Sequence, residues 1–460
     1  MWQTAVRRGC IGVVASVAGL GVARGATGAG NADTGAGMAG ADALPANAAP
    51  TTQEDVPPPA NLMSLFDKVG LGPKLDAVGI DLYGHVEGGY TKQFLNPNDT
   101  LFGRQYDFAN NRALLNQAAI NVERTISTTS DHFDIGFHVQ ALEGTDAGFT
   151  QTFQSYNGAK GESAAVFDVG GNNSSYQFDI PDAYVDFGIP LGRGVRVRAG
   201  RFEFFKPIDP NDRIFYSTTF VYTNVLPKTN TGVTVAYDFN DHAGIEAGFS
   251  RGYNITVNDF NGSIDFIGKG HVDLTDSTTL TGTTSVGPEL ARDSRDYTAV
   301  FDAAVSHKIN DSVSVLVDGI YAYQFGSSTT SQGYDPFGPA DLNLPASYYG
   351  ASGNIVWQVN AYFSLAGRAE WLRDDGGLLS GNIGRTVTPA FGSPVSRSLY
   401  EATIGSTITP FPRDAIGQNL KIRPEVRYDY SNKVFFGPDP FGTPTRKDQL
   451  TFGADVIYNF

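Results

Sequence analysis

Charged side chains set at every second position are the residues of this chain that could do chemistry. Asp182 and Asp186 share one face of an alternating segment, and Arg196 and Arg198 share one face of the next. Lys421, Arg423, Glu425, Arg427 and Asp429 alternate with larger, less polar residues, and Arg368 stands two residues before Glu370. Rows of this kind contact water and ions. They are not arranged for bond-breaking: no Ser–His pair stands in a nucleophile context, and Gly158–Gly161 and Gly170-Gly171 fall in loops, not between a strand and a helix where they could cradle phosphate. Six histidines occur, His85, His132, His138, His242, His271 and His307. His132 and His138 share a face but stand ~20 Å apart along a strand, too far to share a metal. The one cysteine, Cys10, lies in an N-terminal export segment, so the chain after it offers no disulfide or thiolate. No catalysis, cofactor or metal is expected.

What must position these charges is a set of β-strands, because a period of two puts successive side chains on opposite faces. At 132–140, His132, Asp134, Gly136, His138 and Gln140 oppose Phe133, Ile135, Phe137 and Val139. At 182–189, Asp182, Tyr184 and Asp186 oppose Ala183, Val185, Phe187 and Ile189. Pro424 is awkward inside its strand, having no N–H for the ladder, and calls for a bulge or kink. Reading on gives about fourteen strands, with twelve to sixteen open. They begin near 79, 112, 132, 180, 195, 231, 243, 296, 312, 346, 361, 397, 419 and 447, and a further hairpin could hide in 263–285. Connections alternate short (Leu191–Gly194, Asn240–His242, Asn310–Asp311, Asn360) and long (near 95–111, 143–179, 204–229, 253–295, 326–345, 374–396 and 431–446).

The chain has 460 residues, 54 of them Gly, with 21 Tyr, 31 Phe and only 18% charged residues. That mix suits many short strands with aromatic girdles. No apolar run of ~18 residues follows the export segment, so this chain can span a membrane only as a closed barrel, which leaves no backbone group unpaired in lipid. The expected fold is an all-β, antiparallel up-and-down transmembrane barrel with apolar side chains outward and polar ones inward. Tyr90, Tyr253, Tyr321, Tyr323, Trp371, Tyr428 and Tyr458 are expected in its interfacial girdles. A net charge of −15 argues against nucleic acid, which needs a basic face.

Arg7 and Arg8, an apolar stretch at 11–22 and small residues at Ala23 and Gly25 read as a signal peptide over 1–25. Residues 26–58 are an Ala/Gly/Pro-rich linker expected to be disordered. Residues 59–78 form a short periplasmic segment with helical spacing at 61–69, and the barrel runs 79–460. The last strand alternates Leu450, Phe452, Ala454, Val456, Tyr458 and the terminal Phe460 against polar or small residues. A final aromatic in that phase resembles the assembly signal of Gram-negative outer-membrane proteins. It implies recognition by the barrel assembly machinery.

The segment 182–253 carries more specific text: Asp-Ala-Tyr-Val-Asp-Phe-Gly-Ile-Pro at 182–190, Val-Arg-Ala-Gly-Arg-Phe-Glu at 197–203, Phe215-Tyr216-Ser217, Thr231-Gly232-Val233 and Phe249-Ser250-Arg251-Gly252-Tyr253. This resembles the OmpL-like outer-membrane β-barrel porins. The resemblance implies an outer-membrane barrel with channel activity and names no solute.

The tight turn 191–194 sets inward Asp182 and Asp186 beside inward Arg196 and Arg198, where opposite charges pair across strands. The loop 204–229 holds Lys206 and Arg213 and is expected to fold inward and narrow the lumen. Candidate pore-lining and constriction residues are therefore Asp182, Asp186, Arg196, Arg198, Arg201, Lys206, Arg213, Arg368, Glu370, Arg423, Glu425 and Arg427. Inward acids outnumber inward bases about two to one, which favours cations, while Arg196, Arg198, Arg201 and Arg213 near the narrow point would favour anions. Both readings stay open, as does the plainer one that these charges only hydrate and brace the wall. The function expected is passive diffusion of small hydrophilic solutes. A structural or adhesive barrel acting through its long loops is the alternative, and a homo-oligomer stays open.

Overall fold

The computed structural model describes residues 62–460 apart from 96–100, 128–131, 152–175, 207, 257–261, 290–296, 325–345, 376–395 and 439–443. The expected signal peptide and linker lie outside the described residues, as do Gly158–Gly161, Gly170-Gly171 and nearly all of the connections at 326–345 and 374–396.

Two short helices, α1 (Leu62–Lys68) and α2 (Gly72–Asp76), precede the wall. Arg124 ties this segment to the barrel. Its Nε donates to the Val78 carbonyl at 3.0 Å, and its Nη1 meets Asp134 at 2.8 Å. The wall then runs β1 (Asp81–Gln93), β2 (Arg112–Arg124), β3 (Asp134–Gly144) and β4 (Ala183–Ile189). It continues through β5 (Val195–Phe202), β6 (Asn230–Asn240), β7 (Ala243–Tyr253) and β8 (Asp265–Thr275). Next come β9 (Thr278–Pro288), β10 (Tyr297–Asn310), β11 (Val313–Gln324) and β12 (Ala346–Asn360). The last four are β13 (Phe363–Asp375), β14 (Arg397–Ile408), β15 (Leu420–Ser431) and β16 (Asp448–Asn459).

Each strand pairs antiparallel with its successor, and β16 pairs with β1, so the sheet has no open edge. Of the 17 strands in this sheet, the three-residue Gln177–Asp179 lies ahead of β4 on the same side of β3, which leaves a closed barrel of 16. The two strands beyond the expected fourteen are β8 and β9. They form the hairpin that 263–285 could hide, and their turn, Asp276-Ser277, carries neither Gly nor Pro to mark it. The last residue completes the closure. Phe460 and Gly84 exchange backbone hydrogen bonds of 2.8 and 2.9 Å, and a Cβ on Gly84 would stand 2.3 Å from the Ala119 carbonyl oxygen and 2.7 Å from the Phe460 ring.

Three of the short turns share one device. The side-chain oxygens of Asn240, Asn310 and Asn360 accept from the N–H two residues on, at 2.8, 2.9 and 2.8 Å, an Asx-turn that reverses the chain. The turn at 191–194 uses glycine instead, with φ of +63° at Gly192 and +98° at Gly194. Pro424 costs ladder on one side only. Pairing with β14 lapses between Gly405↔Glu425 and Ile408↔Ile422, while pairing with β16 is unbroken.

The distribution of side chains is inverted relative to a soluble protein. Ile120, Val235, Phe249, Phe301, Val317, Trp357, Ile404 and Val426 are exposed on the outer face, while Glu87, Asn121, Glu246, Asp318, Glu401 and Arg427 are buried inside. This is the arrangement of a barrel with lipid outside and a polar lumen. Tyr90, Tyr321, Trp371 and Tyr428 are outward and exposed, in keeping with a girdle position. Tyr253 is not. It is only 9% exposed and packs into an interior apolar cluster, because the chain turns inward at the end of β7.

Candidate pore constriction

A 16-stranded barrel is wide enough to leave its interior unfilled by wall side chains alone. The connection between β5 and β6, residues 203–229, enters that space and touches the wall at several points around its circumference. Near its start Lys206 reaches Asp318 on β11, with Asp302 on β10 4.0 Å away. Gln117 of β2 then donates to the Ile208 carbonyl at 2.9 Å. Arg213 forms a two-contact pair with Glu87 of β1, at 2.9 and 2.7 Å. Ser217 N–H donates to Glu425 of β15 at 3.2 Å, and Arg368 of β13 donates back to the Ser217 carbonyl at 2.8 Å. The loop ends in a short helix, α4 (Phe220–Asn224) when α3 is Ala147–Thr150. Thr219 caps it through its side-chain oxygen, and the carboxylate of Glu370 on β13 accepts from the N–H groups of Phe220 and Val221 at 2.6 and 2.8 Å. At the other end the buried Lys228 ammonium donates to the Tyr222 and Leu226 carbonyls. A negative group at the N-terminus and a positive one at the C-terminus both oppose the helix dipole.

Backbone groups of a loop held in a lumen need partners as much as those in a core do. The inward wall charges supply them, and most of those charges are themselves matched. Arg198 pairs with Asp186 through two contacts of 2.9 and 2.8 Å, directly across the β4–β5 register. Arg196 reaches past β6 to Glu246 at 2.8 Å. Asp182 instead accepts from the Glu203 N–H at 3.1 Å. Arg201 meets Asp179 at 2.8 and 2.9 Å. Arg368 meets Glu401 at 2.9 Å, and Arg427 meets Asp429 at 2.7 Å. Arg423 pairs with Asp455 and also donates to the Pro210 carbonyl at 2.7 Å. All twelve candidate residues thus lie inside the barrel, in three groups. Lys206, Arg213, Arg368, Glu370, Arg423, Glu425 and Arg427 engage the loop or belong to it. Asp186, Arg196 and Arg198 form a separate, largely buried patch on β4 and β5, while Asp182 and Arg201 sit at the loop's base.

Within the loop, burial shifts two cations in opposite directions. Burial alone would lower the Arg213 pKa, but the Glu87 and Asp146 carboxylates outweigh it and hold it above its ordinary value. Lys228 has no carboxylate of that strength. Burial, helped by the charge of Lys206 and opposed by Glu203, takes its pKa down to about 7.

Several participants carry no alternation signal. Arg104 and Asp107, from the β1–β2 connection, pair with each other, and Arg104 meets Asp429 at 2.8 Å. Tyr106 from the same connection shares a hydroxyl contact of 2.8 Å with Tyr222. Three connections also send rings into one apolar cluster: Phe102, then Phe204, Phe205 and Phe220, then Phe435 and Phe436. Phe202, Ile267, Val300, Ile320, Leu372 and Leu399 join it from the wall, all near the strand ends that carry the long connections. An apolar cluster therefore stands at that mouth among buried charges, with Arg397 over the Phe435 ring and Lys269 over the Phe204 ring. The aromatic density of 101–108 and 434–436 was the available hint.

A family model described as "Putative beta-barrel porin-2, OmpL-like" matches residues 79–460. The chain belongs to this family. The match begins two residues before β1 and ends with the last residue, so it covers the whole barrel. No curated protein matches the chain. Among solved structures, this OmpL-like barrel is similar in fold to OprB of Pseudomonas putida, with a TM-score of 0.50 at 12% identity over 86% of this chain and 97% of that one. It also aligns with the anion-selective porin of Comamonas acidovorans, TM-score 0.46 at 9% identity over 83% and 99%. A loop-deleted OmpT, an outer membrane protein of Vibrio cholerae, gives 0.47 at 9% identity over 83% and 99%.

Proposed function

We propose that this protein is an outer-membrane channel for passive diffusion of small hydrophilic solutes, with the connection 203–229 as its constriction. The observation that carries this reading is the loop's attachment inside the lumen through Glu87, Asp318, Glu370 and Glu425, four carboxylates on four different strands. Water follows the charged wall, and the loop sets the width of the passage. The chain contributes no reaction. An N-terminal signal peptide exports it, the barrel assembly machinery reads the strand ending in Phe460, and outer-membrane lipid surrounds the apolar face.

Purified full-length protein in a planar bilayer tests this. Stable ohmic steps are expected, and deleting 206–213 should raise their size, since it removes Lys206 and Arg213 together. Unchanged steps from a still-folded deletion would overturn the role given to the loop. The apolar cluster at the long-loop mouth favours a second reading, a closed structural or adhesive barrel. Folded protein that gives no steps would decide for it.

A further inference from the structure

The inner loop does not meet the wall evenly. One stretch, residues 209–216, lies along the junction of β16 with β1 and bonds to both of those strands and to β15 and β2 beside them. That junction differs from the others in the barrel. Every other pair of adjacent wall strands is consecutive in the chain, whereas β1 and β16 come from its two ends. No short turn holds them together, and their closure costs the most chain entropy. The junction is also poor in side chains, with Gly88 and Gly89 on β1 and Gly453 on β16. A glycine inside a strand has nothing to pack and weakens it.

Three sets of contacts follow one another along this junction. Asp209 accepts from the Asn211 N–H at 2.8 Å, and Pro210 between them has a fixed φ, so a rigid turn presents the Asn211 amide. That amide exchanges hydrogen bonds of 2.8 and 3.1 Å with Asn459 of β16 and accepts from Lys421 of β15 at 3.0 Å. His85 of β1, the register partner of Asn459, stands 3.5 Å from Asp209. Further along, Arg213 holds Glu87 of β1, while Arg423 of β15 holds Asp455 of β16 and donates to the Pro210 and Arg213 carbonyls. The two guanidinium groups thus tie strands on either side of the junction to the same turn of the loop. Beyond them the Tyr216 ring fills the space the glycines leave. A Cβ on Gly89 would overlap its hydroxyl, and a Cβ on Gly453 would touch the ring at 3.5 Å. The hydroxyl donates to Asn116 of β2 at 3.2 Å. From His85 to Gly89 is about 13 Å of strand, so these contacts track the junction and do not mark a single point on it.

We propose that residues 209–216 are an internal clasp on the β16–β1 junction, which makes loop docking and barrel closure one cooperative event. Contacts to one strand would stiffen that strand alone. These grip both sides, so parting β1 from β16 breaks them and undocking the loop removes them. The clasp concerns the wall and holds whether or not the lumen conducts.

Hydrogen–deuterium exchange of the full-length protein in detergent micelles, read by mass spectrometry, tests this. Peptides from β1 and β16 report on the junction, and peptides from β8 and β9, half the circumference away in strand order, are the control. Asn211→Ala, at an exposed side chain, should speed exchange at the junction about fivefold, the worth of one hydrogen bond, and leave β8 and β9 at the wild-type rate. Tyr216→Ala removes a buried ring and should speed it by more than about tenfold. Tyr216→Phe keeps the ring over Gly89 and Gly453 and should restore most of that protection. Junction peptides that exchange at the wild-type rate in both Asn211→Ala and Tyr216→Ala overturn the clasp. Acceleration of equal size at β8 and β9 also overturns it, since that is a loss of global stability. Should Tyr216→Ala not fold, Asn211→Ala decides alone.

Discussion

Arg213 on the inner loop and Glu87 on β1 are 126 residues apart in sequence, yet they form a two-contact ion pair at 2.9 and 2.7 Å with both side chains almost fully buried. Removing one partner of such a pair strands the other as an unpaired charge, at about 3–5 kcal/mol. Arg213→Ala is therefore expected to release this stretch of the loop, giving larger or noisier conductance steps and a lower unfolding temperature. Arg213→Ala combined with Glu87→Gln removes the bare charge at Glu87 and leaves Asp146 held by the Asn116 and Gln117 amides, so it should recover part of the lost thermal stability. Thermal melts of the three proteins check this, and equal losses for the single and double variants would contradict it.

Acidity should act on the loop through Lys228. Its pKa is about 7 in the folded protein, against an ordinary 10.5. Between those values the undocked loop binds more protons than the docked one, so docking strengthens as pH rises from about 7 to 10.5 and is independent of this group below about 7. Current fluctuations from loop excursions should be more frequent at pH 6 than at pH 9.5. Lys228→Met should flatten that difference, and recordings in which the variant keeps the full wild-type pH response would refute the assignment.

Ion selectivity should lean toward cations, because buried carboxylates outnumber buried Lys and Arg among the described residues. Reversal potentials in a KCl gradient should show that preference in the wild type. Arg198→Ala exposes Asp186 and should shift the potential toward cation preference, and Asp186→Asn exposes Arg198 and should shift it toward anions. Shifts of the same sign in both variants would show that this patch does not face the conducting path.

Barrel closure should depend on Gly84. A side chain there meets the Ala119 carbonyl and the Phe460 ring at the seam, so Gly84→Val should lower the fraction of folded, heat-modifiable barrel on electrophoresis. Deleting Phe460 removes the two backbone hydrogen bonds to Gly84 and should do the same. A folded yield equal to wild type in both variants would rule out this seam as a determinant of closure.

Alternation by itself determined the wall. Residues such as Arg423, Glu425 and Arg427 against Ile422, Val426 and Tyr428 could satisfy lipid and water together only as strands of a closed sheet, since period two is a local property of the backbone. The terminal Phe460 and the Asn-led turns were legible for the same reason, each being a signal confined to a few residues. The β8–β9 hairpin was legible only as one that 263–285 could hide, because its turn lacks Gly and Pro and its strands hold Gly268, Gly270 and Gly282 where larger apolar residues mark other strands. The inward placement of Asp186, Arg198 and Glu370 follows from phase, but their partners do not. Arg196 turns to Glu246 and not to Asp182, and Glu370 holds a helix terminus from a connection 149 residues earlier in the chain. Tyr253, Tyr106 and Phe435 point inward only because long connections fold back over the lumen. Loops carry no periodic signal, so their course is decided by which buried charges and rings they meet, and that is a property of the assembled barrel alone.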